Sequence, residues 1–141
     1  MTLSSVIHRL ETATGPSREL DAAIFCAIGL TDTQERHCRE WCRMDGRTDL
    51  TRKHYLAAWA PDYTRSLDAA LTLVDAQWEL VLAKGRVRPD EPLYGAVIYP
   101  WGAVRNAAPG DAVCLGEGEH DVFAIALCLA ALRARAQQQK E

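Results

Sequence analysis

The sequence predicts an α+β domain: a layered α/β/α sandwich with a small, mainly antiparallel sheet of three or four strands and a long, buried C-terminal helix. Three observations lead there. Leu3, Val6, Ile7 and Leu10 recur at the spacing of one helical face. Trp78 to Ala83 alternates with one wetter face, and Leu93 to Tyr99 follows a charged turn as a second strand segment, the pattern of neighbouring strands. Val122 to Leu132 is an unbroken apolar run of eleven residues. That is about half of the ~20 residues a membrane span needs, so it reads as a helix inside a core. Helices must cover an apolar sheet face, and layers result.

The elements follow in chain order. Leu3 to Thr12 is the first helix, stopped by Gly15-Pro16. Ser17 caps a second helix, whose stripe is Leu20, Ile24, Ala27 and Ile28 and which ends at Gly29. Thr31 to Asp62 lacks periodicity and is expected to be a mostly irregular, basic and aromatic insertion. It includes one short helix over Thr33 to Cys42 and a turn at Met44-Asp-Gly46. Tyr63 to Val74 is a third helix, with Thr64 or Ser66 as its cap. Trp78 to Ala83 and Leu93 to Tyr99 are strands, with Gly85 to Pro92 as the turn between them. Ala112 to Leu115 is a short third strand, and Gly116-Glu-Gly118 breaks the chain. Glu119 to about Gln138 is the last helix, with Glu119 and Asp121 at its positive end.

The chain has 141 residues, 48% apolar and 25% charged. That is one domain over residues 1–141, long enough to bury a core. The net charge of −3 argues against an extended nucleic-acid partner, which needs a clustered cationic excess. The first residues lack the basic-then-apolar order of a signal peptide. The five cysteines are odd in number, so reduced thiols in a cytoplasmic protein are expected.

Three blocks resemble a known family. They are Gly15-Pro-Ser-Arg-Glu-Leu-Asp-Ala22, Pro61-Asp-Tyr-Thr-Arg-Ser-Leu-Asp-Ala-Ala-Leu-Thr-Leu-Val74 leading to Trp78, and Ala126-Leu-Cys-Leu-Ala-Ala-Leu-Arg-Ala-Arg135. In this order they are similar to the phage ABA sandwich domain family, small proteins of phages and prophages. The resemblance implies a helix–sheet–helix sandwich and supplies no catalytic residues. The sequence departs from the family between Gly29 and Tyr63, where it is more basic and richer in Cys and His.

That departing segment holds the candidate chemistry. Arg36 to Arg65 contains seven basic and four acidic residues in a chain that is acidic overall. Guanidinium groups clamp phosphate, and indole or phenol rings stack on bases. The expected ligand-binding residues are Arg43, Arg47, Arg52 and Lys53 for phosphate, and Trp41, Tyr55, Trp59 and Tyr63 for stacking. Trp101 and Arg105 after the second strand extend the set. The bland alternative is a solvated loop whose rings cap the core edge.

Other constellations are weaker. His37, Cys38, Cys42 and His54 have one loose thiol pair and dispersed imidazoles, against the tighter pairs of structural zinc sites. Cys38 or Cys42 as a nucleophile needs a lowered thiol pKa. Glu117, Glu119, Asp121 and His120 read better as helix-start partners than as an acid–base pair. Asp21 and Asp68 read as structural. Gly116-Glu-Gly-Glu lacks the ending and the charge of a phosphate loop.

The expected function is therefore non-catalytic and needs no cofactor. The chain is expected to be a phage accessory protein that binds a small phosphorylated or nucleotide ligand, sequestering a host defence signal. Enclosing such a ligand is easier between subunits, so a homo-oligomer is expected. The alternative is a protein-interaction module in which the same Trp, Tyr and Arg side chains act as hot spots on a host or phage protein.

Overall fold

The computed structural model describes residues 2–44, 51–86, 88–103 and 113–140. Six helices and three strands are described: α1 (Leu3–Glu11), α2 (Arg18–Ile28), α3 (Asp32–Arg43), α4 (Arg52–Trp59), α5 (Leu67–Leu71), β1 (Trp78–Lys84), β2 (Tyr94–Pro100), β3 (Gly116–His120) and α6 (Phe123–Gln139). The α+β class and the buried last helix are as expected. No helix among the described residues is long and apolar enough to cross a membrane.

The strands form an antiparallel sheet in the order β1-β2-β3. α6 packs on β3 and β2 with one side, and on α1 and α5 with the other. This double contact explains why α6 is apolar all round: Ala124 to Leu132 and Ala134 are buried. Two glycines set the closeness of the helix to the sheet. A side chain on Gly116 would overlap the backbone of Ala130 and Ala134, and one on Gly118 would overlap Ala126 and Leu129.

The helix starts follow from their caps. Ser17 accepts from the Leu20 N–H at 3.3 Å, and Ser66 accepts from Ala69 at 3.2 Å. α2 ends at Gly29, whose φ of 82° suits glycine. Thr31 and Gln34 form a reciprocal box at the start of α3: Gln34 N–H reaches the Thr31 hydroxyl at 3.2 Å and Thr31 N–H reaches Gln34 Oε1 at 2.8 Å.

Four expectations are corrected. The 31–62 segment is largely helical where it is described, as α3 and α4. Only Cys38 of α3 is buried, so no apolar stripe marks the helix. The third helix is confined to Leu67–Leu71, because Tyr63 and Thr64 belong to a turn that docks on α2. The third strand lies at Gly116–His120, where a break was expected. Residues 113–115 are not strand, and Ala112 lies outside the described residues. Finally, α6 begins at Phe123. Glu119 therefore sits on β3, and Asp121 accepts from the Leu93 N–H at 3.0 Å instead of serving the helix dipole.

A polar junction fixes α2 to the rest. Asp21 is buried and accepts from the Thr64 N–H and the Thr64 hydroxyl, both at 2.8 Å. Arg18 Nη1 lies 3.2 Å from the same carboxylate and 2.9 Å from Asp62. It also reaches Ala60 O at 2.8 Å, while Nη2 reaches Ala57 O at 3.1 Å. Arg18 thereby satisfies carbonyls at the C-terminal end of α4 and ties it to the start of α2.

Candidate functional site

α3 and α4 pack through rings. Tyr55 is buried, with centroid distances of 6.4 Å to Phe25, 5.4 Å to His37, 5.9 Å to Trp41 and 6.3 Å to Trp59. Its hydroxyl lies 2.9 Å from His37 Nδ1, and His37 meets Trp59 edge-on at 4.6 Å. Burial pushes the Tyr55 phenol above its ordinary pKa. These rings hold two helices together, and Tyr55 presents no face to a ligand. Trp41 is half-buried against the core, and Trp59 is 48% exposed.

The remaining expected site residues are dispersed. Tyr63 is buried, and its carbonyl accepts from the Cys128 thiol at 3.3 Å. Burial raises the Tyr63 pKa to about 12. Trp101, 66% exposed, follows β2, and its N–H donates to Gln77 O at 3.1 Å. Arg43 is exposed at the end of α3 and lines a cleft of about 340 Å³ with Arg39, Cys42 and Arg52. Arg47 and Arg105 lie outside the described residues.

One concavity among the described residues joins two of the expected cations to residues that the sequence did not single out. It is a groove of about 670 Å³ between α2 and α4. Its floor is small and apolar: Ala22, Ala23 and Cys26 from α2, with Leu56 and Ala57 from α4. Arg9, Arg18, Arg52 and Lys53 surround it, with Glu19 the one acid in the lining among the described residues. The groove exists because Ala22, Ala23 and Cys26 share one face of α2 and are too short to fill the space to α4. That small-residue face was the available signal. It is easily overlooked beside the aromatic segment, because alanines on a helix ordinarily signal close packing.

The cations differ in freedom. Arg52 Nη1 contacts both Glu35 oxygens, at 2.8 and 2.7 Å, and this hydrogen bond holds its guanidinium more firmly protonated. Arg18 is engaged in the junction with α4. Lys53 is exposed and makes no ion pair among the described residues. It is therefore the cation most available to an incoming anion, since recruiting it breaks no existing contact.

The thiols and imidazoles do not converge. All five cysteines are free thiols. Burial pushes the Cys38 thiol up, and neighbouring Cys42 pushes it further, against a smaller lowering by Arg52. A nucleophile needs the opposite shift. His37 is turned to Tyr55, and His54 Nδ1 lies 2.9 Å from the Thr51 hydroxyl. Among the described residues, no group of three or more His, Cys, Asp or Glu is placed to hold a metal ion. His120 is also committed: its Nδ1 accepts from the Val122 N–H at 2.9 Å, so Nε2 carries the proton that meets Ala13 O at 2.7 Å.

Comparison with known proteins gave no matching family model, no matching curated protein and no matching solved structure.

Proposed function

We propose that the protein is a non-catalytic binder of a small phosphorylated ligand, a nucleotide in its most concrete form, held in the groove between α2 and α4. The observation that carries this reading is the pairing of an apolar floor with a cationic rim in a space of about 670 Å³. Small-ligand sites are mostly apolar, with a few oriented polar groups, and fall in a range of about 300–1,000 Å³. The floor of Ala22, Ala23, Leu56 and Ala57 takes the base or other apolar part. Lys53 takes the phosphate, with Arg52 held ready beside it by Glu35. Bases lie against alkyl side chains here, and Tyr55 and Tyr63 serve the core.

In biological terms the reading is a cytoplasmic phage or prophage accessory factor that withdraws a host defence signal by sequestration. Its support is the likeness of the helical blocks to the phage ABA sandwich family. Sequestration needs tight binding without turnover, and a groove formed by small residues and cations is suited to hold a ligand.

The test is thermal denaturation against a panel of mono-, di- and cyclic nucleotides and phosphorylated metabolites. A ligand that binds the folded state alone raises Tm; at 100 times its Kd it adds about 2.7 kcal/mol. Lys53→Glu reverses the free charge, and Ala57→Trp fills the groove from an exposed position. Each is expected to abolish the shift while leaving the Tm of the ligand-free protein within about 2 °C, as surface substitutions do. A shift that survives both variants removes the site from this groove.

A second reading is favoured by one observation. Met44, at the end of α3, is 54% exposed and Trp59, at the end of α4, is 48% exposed. Exposed Trp and Met are typical anchors of protein interfaces. An interaction module would give no shift with the panel and would lose its protein partner on Trp59→Ala.

A further inference from the structure

We propose that β1 is the seam of a homodimer, in which two copies join their sheets edge to edge about a two-fold axis through Val81. β1 pairs with β2 and with no other strand among the described residues. It is a seven-residue edge, longer than the short or interrupted edges with which proteins avoid association. Exposed apolar side chains lie on it: Val81 is 44% exposed and Leu82 39%.

The backbone phase supplies the second argument. Trp101 N–H bonds to Gln77 O at 3.1 Å and Gly85 N–H bonds to Leu93 O at 2.8 Å. Both contacts fall on the odd-numbered residues that flank β1, in the same register as the strand pairing, so the odd residues of β1 turn their N–H and C=O groups toward β2. In an antiparallel ladder this alternates. The groups of Leu80, Leu82 and Lys84 therefore point outward, and no described residue satisfies them.

A second copy satisfies them with its own outward groups. A two-fold axis normal to the sheet keeps each α6 on the same side of the joined sheet and closes the assembly at two chains. Centred on Val81, the register uses all of β1. Val81 meets its own equivalent, each Leu80 meets Leu82 of the second copy, and each Trp78 position lies opposite Lys84. Glu79 meets Ala83, so no like charges face each other. Sliding to a Leu82-centred register sets Leu80 against Lys84 and leaves Trp78 without a partner residue. A Leu80- or Leu82-centred register pairs only five of the seven residues, so the Val81-centred one is the register in which a second β1 covers the whole strand, leucine against leucine and with no like charges opposed, which is the argument for a second copy over a different partner. The seam shares no residue with the α2–α4 groove.

Native mass spectrometry and light scattering of the full chain test the proposal. The wild type is expected at twice the 15.6 kDa chain mass. Val81→Lys is expected at the single chain mass with an unchanged far-ultraviolet circular dichroism spectrum. Cysteine pairing reads the register independently. In a Cys26→Ser, Cys114→Ser background, Val81→Cys is expected to form an oxidised dimer on non-reducing gels, since it faces itself across the axis. Ala83→Cys is expected to stay monomeric on those gels, because its partner position is Glu79. A wild type that remains a single chain at micromolar concentration, a Val81→Lys variant that is still dimeric, or crosslinking at Ala83→Cys in place of Val81→Cys each overturns it.

Discussion

Asp21 holds the junction of α2 with the turn at Thr64. It is buried, and three donors converge on it from Thr64 and Arg18. Removing it in Asp21→Ala leaves the Thr64 N–H without an acceptor and Arg18 with one fewer anion. Arg18 is partly exposed and keeps Asp62, so the expected loss is about 1–3 kcal/mol, the cost of leaving a buried donor without a partner. Asp21→Asn, which keeps one oxygen for Thr64, is expected to lose less. Urea unfolding measures both, and an Asp21→Ala loss under about 1 kcal/mol would contradict this role. Tyr63 gives a pH signature. Its pKa is about 12 in the fold against 10.0 for the ordinary phenol, chiefly through burial. Between those values the unfolded chain has released the proton and the folded chain has kept it. Stability contributed by this group is complete below pH 10.0 and is lost as pH rises toward about 12, by roughly 3 kcal/mol. Cys128, also raised by burial, acts with the same sign. Tyr63→Phe is expected to flatten the part of the alkaline limb that belongs to Tyr63, as measured by denaturant midpoints across that range.

Among the elements, β3 shows how small residues can carry a fold. Its glycines lie under α6, and their lack of a Cβ lets helix and strand backbones touch. Gly118→Val must displace α6 from the sheet. The expected cost is at least about 1–3 kcal/mol, the ordinary penalty of overpacking, read as a fall in Tm. These glycines also explain why the sequence misplaced β3: Gly116-Glu-Gly118 carries the mark of a turn, and only the approach of α6 makes it a strand. α1 and α2 were legible because each has one dry face and one wet face, which writes a period into the sequence, and β1 and β2 because the charged turn between them bounds both. α3 was only partly legible, since its burial rests on Cys38 and ring contacts; the helix expected from Thr33 starts at Asp32, and the Thr31–Gln34 box that sets its start is a signal the expectation did not use. α4 is eight residues long, and its identity depends on the tertiary partners Arg18 and Tyr55. Of the candidate site, Arg52 and Lys53 were read from charge. The groove floor was not, because an empty space between two helices is a property of their packing and leaves only small residues in the sequence.

At the scale of the whole molecule, the basic segment is drawn into the helical layer instead of standing apart from it. Its rings fasten α3 to α4, and Arg18 fastens α4 to α2. The groove is therefore walled by anchored helices, which lowers the ordering cost of binding. The sheet edge is a separate surface, so a dimer leaves two grooves open. The central claim is that this groove retains a phosphorylated small molecule. Native mass spectrometry of the protein isolated from the cells in which it acts tests that most directly. The wild type is expected to carry a non-covalent, phosphorus-containing adduct that Ala57→Trp and Lys53→Glu lack. An adduct held equally by all three proteins, or by none of them, would contradict the account.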